Sequence, residues 1–357
     1  MRERCPVAYS EFLAWSIFRH DDIETILLDP ETYSSASRRL AVPNGMDAPE
    51  HTAYRAAQEP FFSSDQMATF DSQCRKVARE LVGPLVARST VEIVADFADP
   101  FSMRSLCAFL GWPEENWGYL LGWTHGNLQA AYARDRDAGK TLAEEFTHYV
   151  MEQIDARRTD GRSESGDDVT SRLMRRTVNG RRMTDEELIS ALRNWTAGHG
   201  TVVAGLSNLL LYLARHPQFQ DHLRSEPGLI PAAVDEVLRV DGPLVSNRRT
   251  TTREVEIGGR VIDAGQNLTL MWLAADRDPR EFDEPTTVNL DRDQAGNFLF
   301  GAGIHYCVGA PMARLELRIA LEELLSHTRE LALAGNPNPP RSTYPGNGVE
   351  VLQMHLR

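Results

Sequence analysis

The stretch Phe300 to Gly309, FGAGIHYCVG, constrains this chain more than any other. A single cysteine, Cys307, stands among Gly301, Gly303 and Gly309, and a helical pattern begins at about Pro311. Glycine admits backbone angles and close approaches that a Cβ forbids. A helix that starts just after a cysteine aims amide groups and its positive end at the sulfur, which favours the thiolate. A buried structural cysteine after a glycine turn is the plain alternative. Cysteine thiolate is also one of the few protein ligands for haem iron, where it pushes electron density toward O–O cleavage.

The remaining bulk properties narrow the setting. The 357 residues read as one helix-rich body, residues 1–357, with a small strand region. A formal net charge of −13 argues against a nucleic-acid partner. Cys5, Cys74, Cys107 and Cys307 show neither a CxxC pair nor a disulfide framework, which fits a reducing cytoplasm. No signal-like segment opens the chain and no stretch reads as a membrane span, so a soluble cytoplasmic protein is expected.

Along the chain, Leu13 to Phe18 reads as a strand, and Asp22 is placed to cap a helix over about Ile23–Leu28. His51 and Arg55 are four apart and share one helical face. Residues 67–160 are mostly amphipathic helix, with Phe109, Trp112, Trp117, Tyr119 and Trp123 read as core. RRTDGRSESGDD, residues 157–168, reads as a polar, mobile loop. Thr184 to Glu187 carries a capping-box pattern. The helix it opens runs to about Arg215 before His216-Pro217, roughly 45 Å. Gly198 and Gly200 inside it each cost about 1 kcal/mol relative to alanine, which suggests close packing against a flat surface or a deliberate distortion. Thr201 can hydrogen-bond back to a carbonyl and loosen that turn. Glu236 and Arg239 lie on one face of the next helix, VEI-GG-RVI reads as a hairpin closing on Gly258-Gly259, and Asn267–Leu273 reads as a strand.

With these segments in view, the chain resembles the cytochrome P450 family. Phe300, Gly301, Gly303, His305, Cys307 and Gly309 match the haem-ligand signature, and the shorter motifs follow in family order. The resemblance implies a mainly α fold with a small β region, haem b as cofactor, and Cys307 as the proximal iron ligand. It implies that His51, Arg55, His305 and Arg249 anchor the haem propionates, with adjacent Arg248 a second candidate for the last role. Ala197, Gly198 and Thr201 match the oxygen-binding helix above the haem. Glu236 and Arg239 match the family's structural Glu-x-x-Arg, with Asp291 or Arg292 as partners. Leu244, Val245 and the turn around Asn347 are expected to line the pocket. AADRDP resembles the Asn-Arg-Asp-Pro turn, with Asp276 for Asn. Stretches such as NWTAGH and DGPLVSNRR look most like the haem domains of bacterial self-sufficient fusions.

Three departures matter. Gly200 stands where the family usually has an acid that helps deliver protons. His199 is next door but about 100 degrees away around the helix, so it should not point to the same place. Protons then come through ordered water beside Gly200, through a substrate group, or with hydrogen peroxide. The family's first helix looks short or absent. Ser35–Glu50 looks short for a roof over the pocket, which suggests a more open cleft able to take a larger or partner-carried substrate. The expectation is a monooxygenase that takes O2 and two external electrons, by way of ferredoxin and ferredoxin reductase, to oxidise a small, largely apolar molecule. A basic cluster, Arg75, Lys76 and Arg79, is a candidate ferredoxin dock, or a solvated helix face. A peroxygenase, an oxidative coupling or cyclising enzyme, and a non-enzymatic haem sensor are the alternatives.

Overall fold

The computed structural model describes residues 2–133 and 135–357. Its α-helices are α1 (His20–Leu28), α2 (Glu50–Gln58), α3 (Ser64–Leu85), α4 (Asp99–Leu110), α5 (Trp117–Ala133), α6 (Arg136–Thr159), α7 (Arg162–Ser165), α8 (Val169–Met174), α9 (Asp185–Arg215), α10 (Pro217–Ser225), α11 (Ile230–Val240), α12 (Trp272–Ala275) and α13 (Ala310–His327). The central α9 begins at a full capping box. Thr184 accepts from Glu187 N, and the Glu187 carboxylate accepts from Thr184 N. It stops at His216, before a proline that cannot continue the helix. Apolar residues surround α9 for most of its length, because α4, α5, α6, α11 and α13 all pack on it. By length and composition α9 is apolar enough to cross a membrane, which the sequence reading had missed, but most of its apolar window is buried inside the protein.

A five-stranded sheet flanks the helices in the order β1 (Val7–Ser10), β2 (Ala14–Ile17), β10 (Asn267–Leu270), β7 (Asn247–Thr251), β3 (Tyr33–Ser34). β2 and β10 run parallel, while β10 and β7 are antiparallel with Leu268 opposite Arg249. A second sheet joins β11 (Leu331–Leu333), β12 (Gln353–Leu356) and β4 (Val91–Glu92). The pairs β5 (Thr177–Val178) with β6 (Arg181–Arg182), and β8 (Val255–Ile257) with β9 (Arg260–Ile262), are separate two-stranded pieces. The latter is the expected hairpin, with Gly258 and Gly259 at positive φ.

Several local expectations change. α1 begins at His20 without a side-chain cap, so Asp22 sits in its first turn instead of capping it. β10 ends at Leu270 and the chain turns into α12, so the strand is shorter than expected. Residues 157–168 are not a free loop. Arg157 is fully buried, donates to Asp168 at 2.9 Å and to the Gly111 carbonyl at 2.6 Å, and α6 and α7 fill most of the segment. A buried guanidinium without those partners would cost several kcal/mol, on the order of 3–5. Trp112, Trp123 and Phe109 are core as expected, whereas Tyr119 is exposed.

Glu236 and Arg239 form a fully buried pair, with both Arg239 nitrogens 2.8 Å from the carboxylate. Glu236 also accepts from Asn289 N, Arg292 and Gln294, while Arg239 donates to the carbonyls of Asp276 and Pro285. Of the two expected partners Arg292 joins the network and Asp291 does not. Burial pushes the Glu236 carboxyl up, but hydrogen bonds from Arg239, Gln294 and Arg292 outweigh it and hold the group at about 2. This cluster locks the segment leading to Phe300 onto α11.

Candidate functional site

The Cys307 loop is built by close approaches. Gly301 has φ +72°, and a Cβ there would lie 2.8 Å from the Trp272 ring. Gly303 has φ +68°, and its Cβ would lie 2.2 Å from the Leu27 carbonyl of α1. No L side chain fits either position without moving its neighbours. Cys307 N donates to the Phe300 carbonyl at 2.9 Å, which closes the loop, and α13 starts three residues later at Ala310. Arg314, seven residues beyond Cys307 near the start of α13, stacks its guanidinium 4.5 Å from the Phe300 ring centre and donates to the Tyr306 hydroxyl. That spacing was the available signal for Arg314, and the sequence reading missed it.

Cys307 is exposed, yet burial is the largest influence on its thiol and pushes its pKa up. Both hold where solvent reaches a sulfur otherwise surrounded by protein. Backbone N–H groups of Gly309 and Ala310, with Arg55 and Arg314, pull the other way without winning. The helix end therefore favours the thiolate as expected, but in the protein alone it does not overcome desolvation.

Beside the sulfur lies a group of cations short of an anion. The His51 ring is buried and 4.3 Å from the His305 ring. Neither His51 nitrogen has a hydrogen-bond partner among the described residues, and His305 Nε2 also lacks one. Burial pulls the His51 pKa down, helped by Arg55. Burial, then His51 and Arg249, push His305 down to about 4. Arg55 donates to the Tyr306 carbonyl at 2.6 Å and to Glu59 at 2.9 Å. Arg249 is buried on β7, while Arg248 is exposed, as strand alternation turns one inward and the other outward. Burial also lowers the Arg249 pKa, with Asp47 the acid that opposes the shift. Asp47, an acid near this group that sequence reasoning missed, is held by Ser34 and by Ser35 N. Buried polar groups normally carry partners. Unpaired imidazole nitrogens and a desolvated guanidinium converging beside an accessible cysteine fit an anionic, planar ligand with carboxylates at one edge.

The turn that resembles the family's oxygen-binding helix lies in the middle of α9. Gly198 is exposed, and Ala197, Gly200 and Thr201 are half-buried, although the helix is buried on either side. Thr201 Oγ1 donates to the Gly198 carbonyl at 2.7 Å, the back-bond expected there. Gly200 faces α5, where its Cβ would lie 3.2 Å from Thr124 Cγ2, so its missing side chain lets two helices approach. His199 is turned away from the cleft. It is buried, bonds the Trp195 carbonyl at 2.8 Å and lies 3.5 Å from Glu316 of α13. Burial pulls its pKa down, but the Glu316 charge together with hydrogen bonds to Glu316 and the Trp195 carbonyl raises it on balance. His199 thus belongs to the α9–α13 interface and not to the catalytic group.

Leu244 is an exposed apolar side chain and Val245 is half-buried, consistent with a pocket edge. Asn347 departs from expectation: its amide donates to Asp241 at 2.9 Å and to the Gly242 carbonyl at 2.8 Å, clasping that turn instead of entering the pocket. The basic cluster on α3, read as a ferredoxin dock or a solvated helix face, carries acids beside it. Arg75 pairs with Asp71, Glu322 and Glu323, Arg79 pairs with Glu323, and Lys76 faces Glu80. Glu322 and Glu323 of α13 offset Arg75 and Arg79, which a linear reading cannot see, while Asp71 and Glu80 lie on α3 itself. Between Ser35 and Glu50 no extra helix forms among the described residues. The segment is pinned to α9 through Val42 N to Ser190 at 2.9 Å and Asn194 to the Val42 carbonyl at 2.9 Å.

Comparison with known proteins places the chain in one family. The cytochrome P450 family model matches residues 119–344. Cyclomarin C epoxidase CymV of Salinispora arenicola is 33% identical over 100% of this chain and 94% of its own length. Erythromycin C-12 hydroxylase of Saccharopolyspora erythraea is 33% identical over 93% of this chain and 86% of its own. The structure of a mutant of P450 EryK in complex with erythromycin B superposes with a TM-score of 0.90 at 29% identity, covering 100% of this chain and 94% of that one. The open EryK structure gives a TM-score of 0.91 at 28% identity, covering 100% and 93%. The chain belongs to the cytochrome P450 family, and is an oxidoreductase of the P450 monooxygenase class.

Proposed function

We propose that this enzyme, in which Cys307 would hold the iron of haem b, uses O2 to hydroxylate or epoxidise a small, largely apolar organic molecule in the cytoplasm. The observation that carries the reading is the pair of imidazoles with unpartnered nitrogens, His51 and His305, set with Arg55 and the buried Arg249 around an accessible cysteine. His51, Arg55, Arg249 and His305 would hold the propionates, which supply the negative charge that the cluster lacks. When bound, the haem supplies the oxygen chemistry, and the protein positions and tunes it. The N–H groups of Gly309 and Ala310, and the charges of Arg55 and Arg314, favour a negative sulfur once it is an iron ligand. Phe300, Gly301 and Gly303 set the loop that presents it.

Thr201 is the side chain that handles protons at the cleft. Its hydroxyl already donates to the Gly198 carbonyl, so it can accept from water in the cleft without moving. With Thr124 packed at Gly200, protons reach Thr201 along the open side of α9 through water. Electrons are supplied by a ferredoxin and its reductase. The reading is tested by supplying that pair with labelled O2 and a screened substrate. Incorporation of one labelled oxygen per product supports it, and unlabelled coupled product contradicts it. The absent acid at Gly200 favours one second reading, a peroxygenase, which turns over with hydrogen peroxide and no reductase.

A further inference from the structure

A second cavity, of about 540 Å³, lies away from Cys307. Arg39 from the segment before α2, Arg193 from α9, and Lys140, Glu144, Thr147 and His148 from α6 line it. Its charges are unevenly paired. Lys140 lies 3.7 Å from Glu144, and His148 lies 3.1 Å from Glu152, so those cations have acids of their own. No ion pair forms at Arg39 or Arg193 among the described residues. Arg193 is half-buried, donates only to neutral oxygens, Thr147 Oγ1 at 2.9 Å and the Ala143 carbonyl at 3.4 Å, and leaves its Nε buried without a partner. Burial first, then the Arg39 charge, pulls the Arg193 pKa down. Two guanidinium groups that repel each other across one cavity form a site short of an anion.

The cavity is also placed in register with the cleft. Arg193 is four residues before Ala197, so the two share one face of α9. At 1.5 Å per residue, Arg193 lies about 6 Å along the helix from Ala197 and about 12 Å from Thr201. Arg39 is not on a free tether. The adjacent Leu40 carbonyl accepts from Ser190, and Ser190 and Asn194 hold Val42, all on the first turns of α9.

We propose that this cavity is an anion subsite: Arg39 and Arg193 hold a carboxylate or phosphate of the substrate, while its apolar body runs along α9 to the oxidation site. This rests on the monooxygenase reading for what happens at the far end. It selects an amphiphilic substrate whose anionic group and oxidised carbon are separated by on the order of 10 Å, the helical distance just given. Arginine suits the role because its planar fork pairs two oxygens at once and stays charged when desolvated.

The test is calorimetric titration of haem-loaded enzyme, first shown to be thiolate-ligated by its reduced carbon monoxide spectrum, so that failure of the subsite is separable from failure of the enzyme reading. The probes are decanoate, decyl phosphate and methyl decanoate. One or both anions should bind at least about tenfold more tightly than the neutral ester, and the better of the two identifies the headgroup. Arg193→Gln and Arg39→Gln should each remove most of that preference while leaving ester affinity unchanged, and Arg193→Lys should keep part of it. Equal affinity for ester and anions, no binding of either anion, or an Arg193→Gln variant that keeps the preference overturns the proposal.

Discussion

Asp276 offers a quantitative check on the physics around the site. The P450 pattern usually carries asparagine there, and this chain has a carboxyl that is only 2% exposed and accepts from Phe298 N at 2.8 Å. Burial pushes its pKa up to about 8, against the opposing Phe298 hydrogen bond and the Arg239 and Arg277 charges. At neutral pH the group is therefore mostly protonated, and resembles the amide it replaces. In the unfolded chain it ionises near 3.8, the ordinary value. As pH rises above that value, the unfolded state releases a proton that the folded state keeps. Stability from this group is fully present below pH 3.8 and is lost progressively up to about pH 8. The slope is about 1.4 kcal/mol per pH unit, so roughly 3 kcal/mol is lost between about pH 5.5 and 7.5. Asp276→Asn keeps an acceptor for Phe298 and removes the titration. In urea unfolding at those two pH values, the stability of the variant relative to the native protein should improve by about 3 kcal/mol on going to the higher pH. A gap that stays constant, or moves the other way, refutes the argument that burial dominates at this position.

Other perturbations have equally definite outcomes. Glu236→Gln strips the charge from a fully buried pair and leaves Arg239 uncompensated, so it should cost about 3–5 kcal/mol in denaturant unfolding at pH 7. Because the Glu236 pKa is depressed to about 2, its stabilisation is present above pH 4.5, and the native protein should lose its advantage over the variant as pH falls through about 2. Gly303→Ala places a Cβ on the Leu27 carbonyl at a positive φ, and should cost about 2 kcal/mol or more with a matching drop in haem retained after gel filtration. Thr201→Ala should leave the carbon monoxide spectrum unchanged while product formed per reductant consumed falls severalfold, because only proton handling at the cleft is altered.

The parts of this fold that the sequence made legible were those written in local chemistry. The capping box at Thr184 and the proline after His216 bounded α9, and Gly258-Gly259 marked its hairpin. The Cys307 loop was legible because Gly301 and Gly303 each answer a steric demand at their own position. What escaped was decided by partners far along the chain. The Arg75 cluster looked like an open basic face until Glu322 and Glu323 folded against it. Arg157 read as loop because its burial depends on Asp168 and on the Gly111 carbonyl of another helix end. Arg248 and Arg249 were indistinguishable until the register of β7 on β10 put one inside and one outside. His199 could be excluded from the cleft by helical rotation, but its contact with Glu316 could not be foreseen. Asn347 was placed in the right turn, and its amide direction was set by Asp241, about a hundred residues earlier.

The account stands on iron bound by the sulfur of Cys307, and one spectrum addresses that bond directly. Purified protein loaded with haem, reduced and exposed to carbon monoxide should show the strongly red-shifted Soret band of a thiolate-ligated iron, and Cys307→His should abolish that band while retaining helical circular dichroism. A folded native protein that binds haem but gives the unshifted band of an imidazole-ligated iron would contradict the central claim.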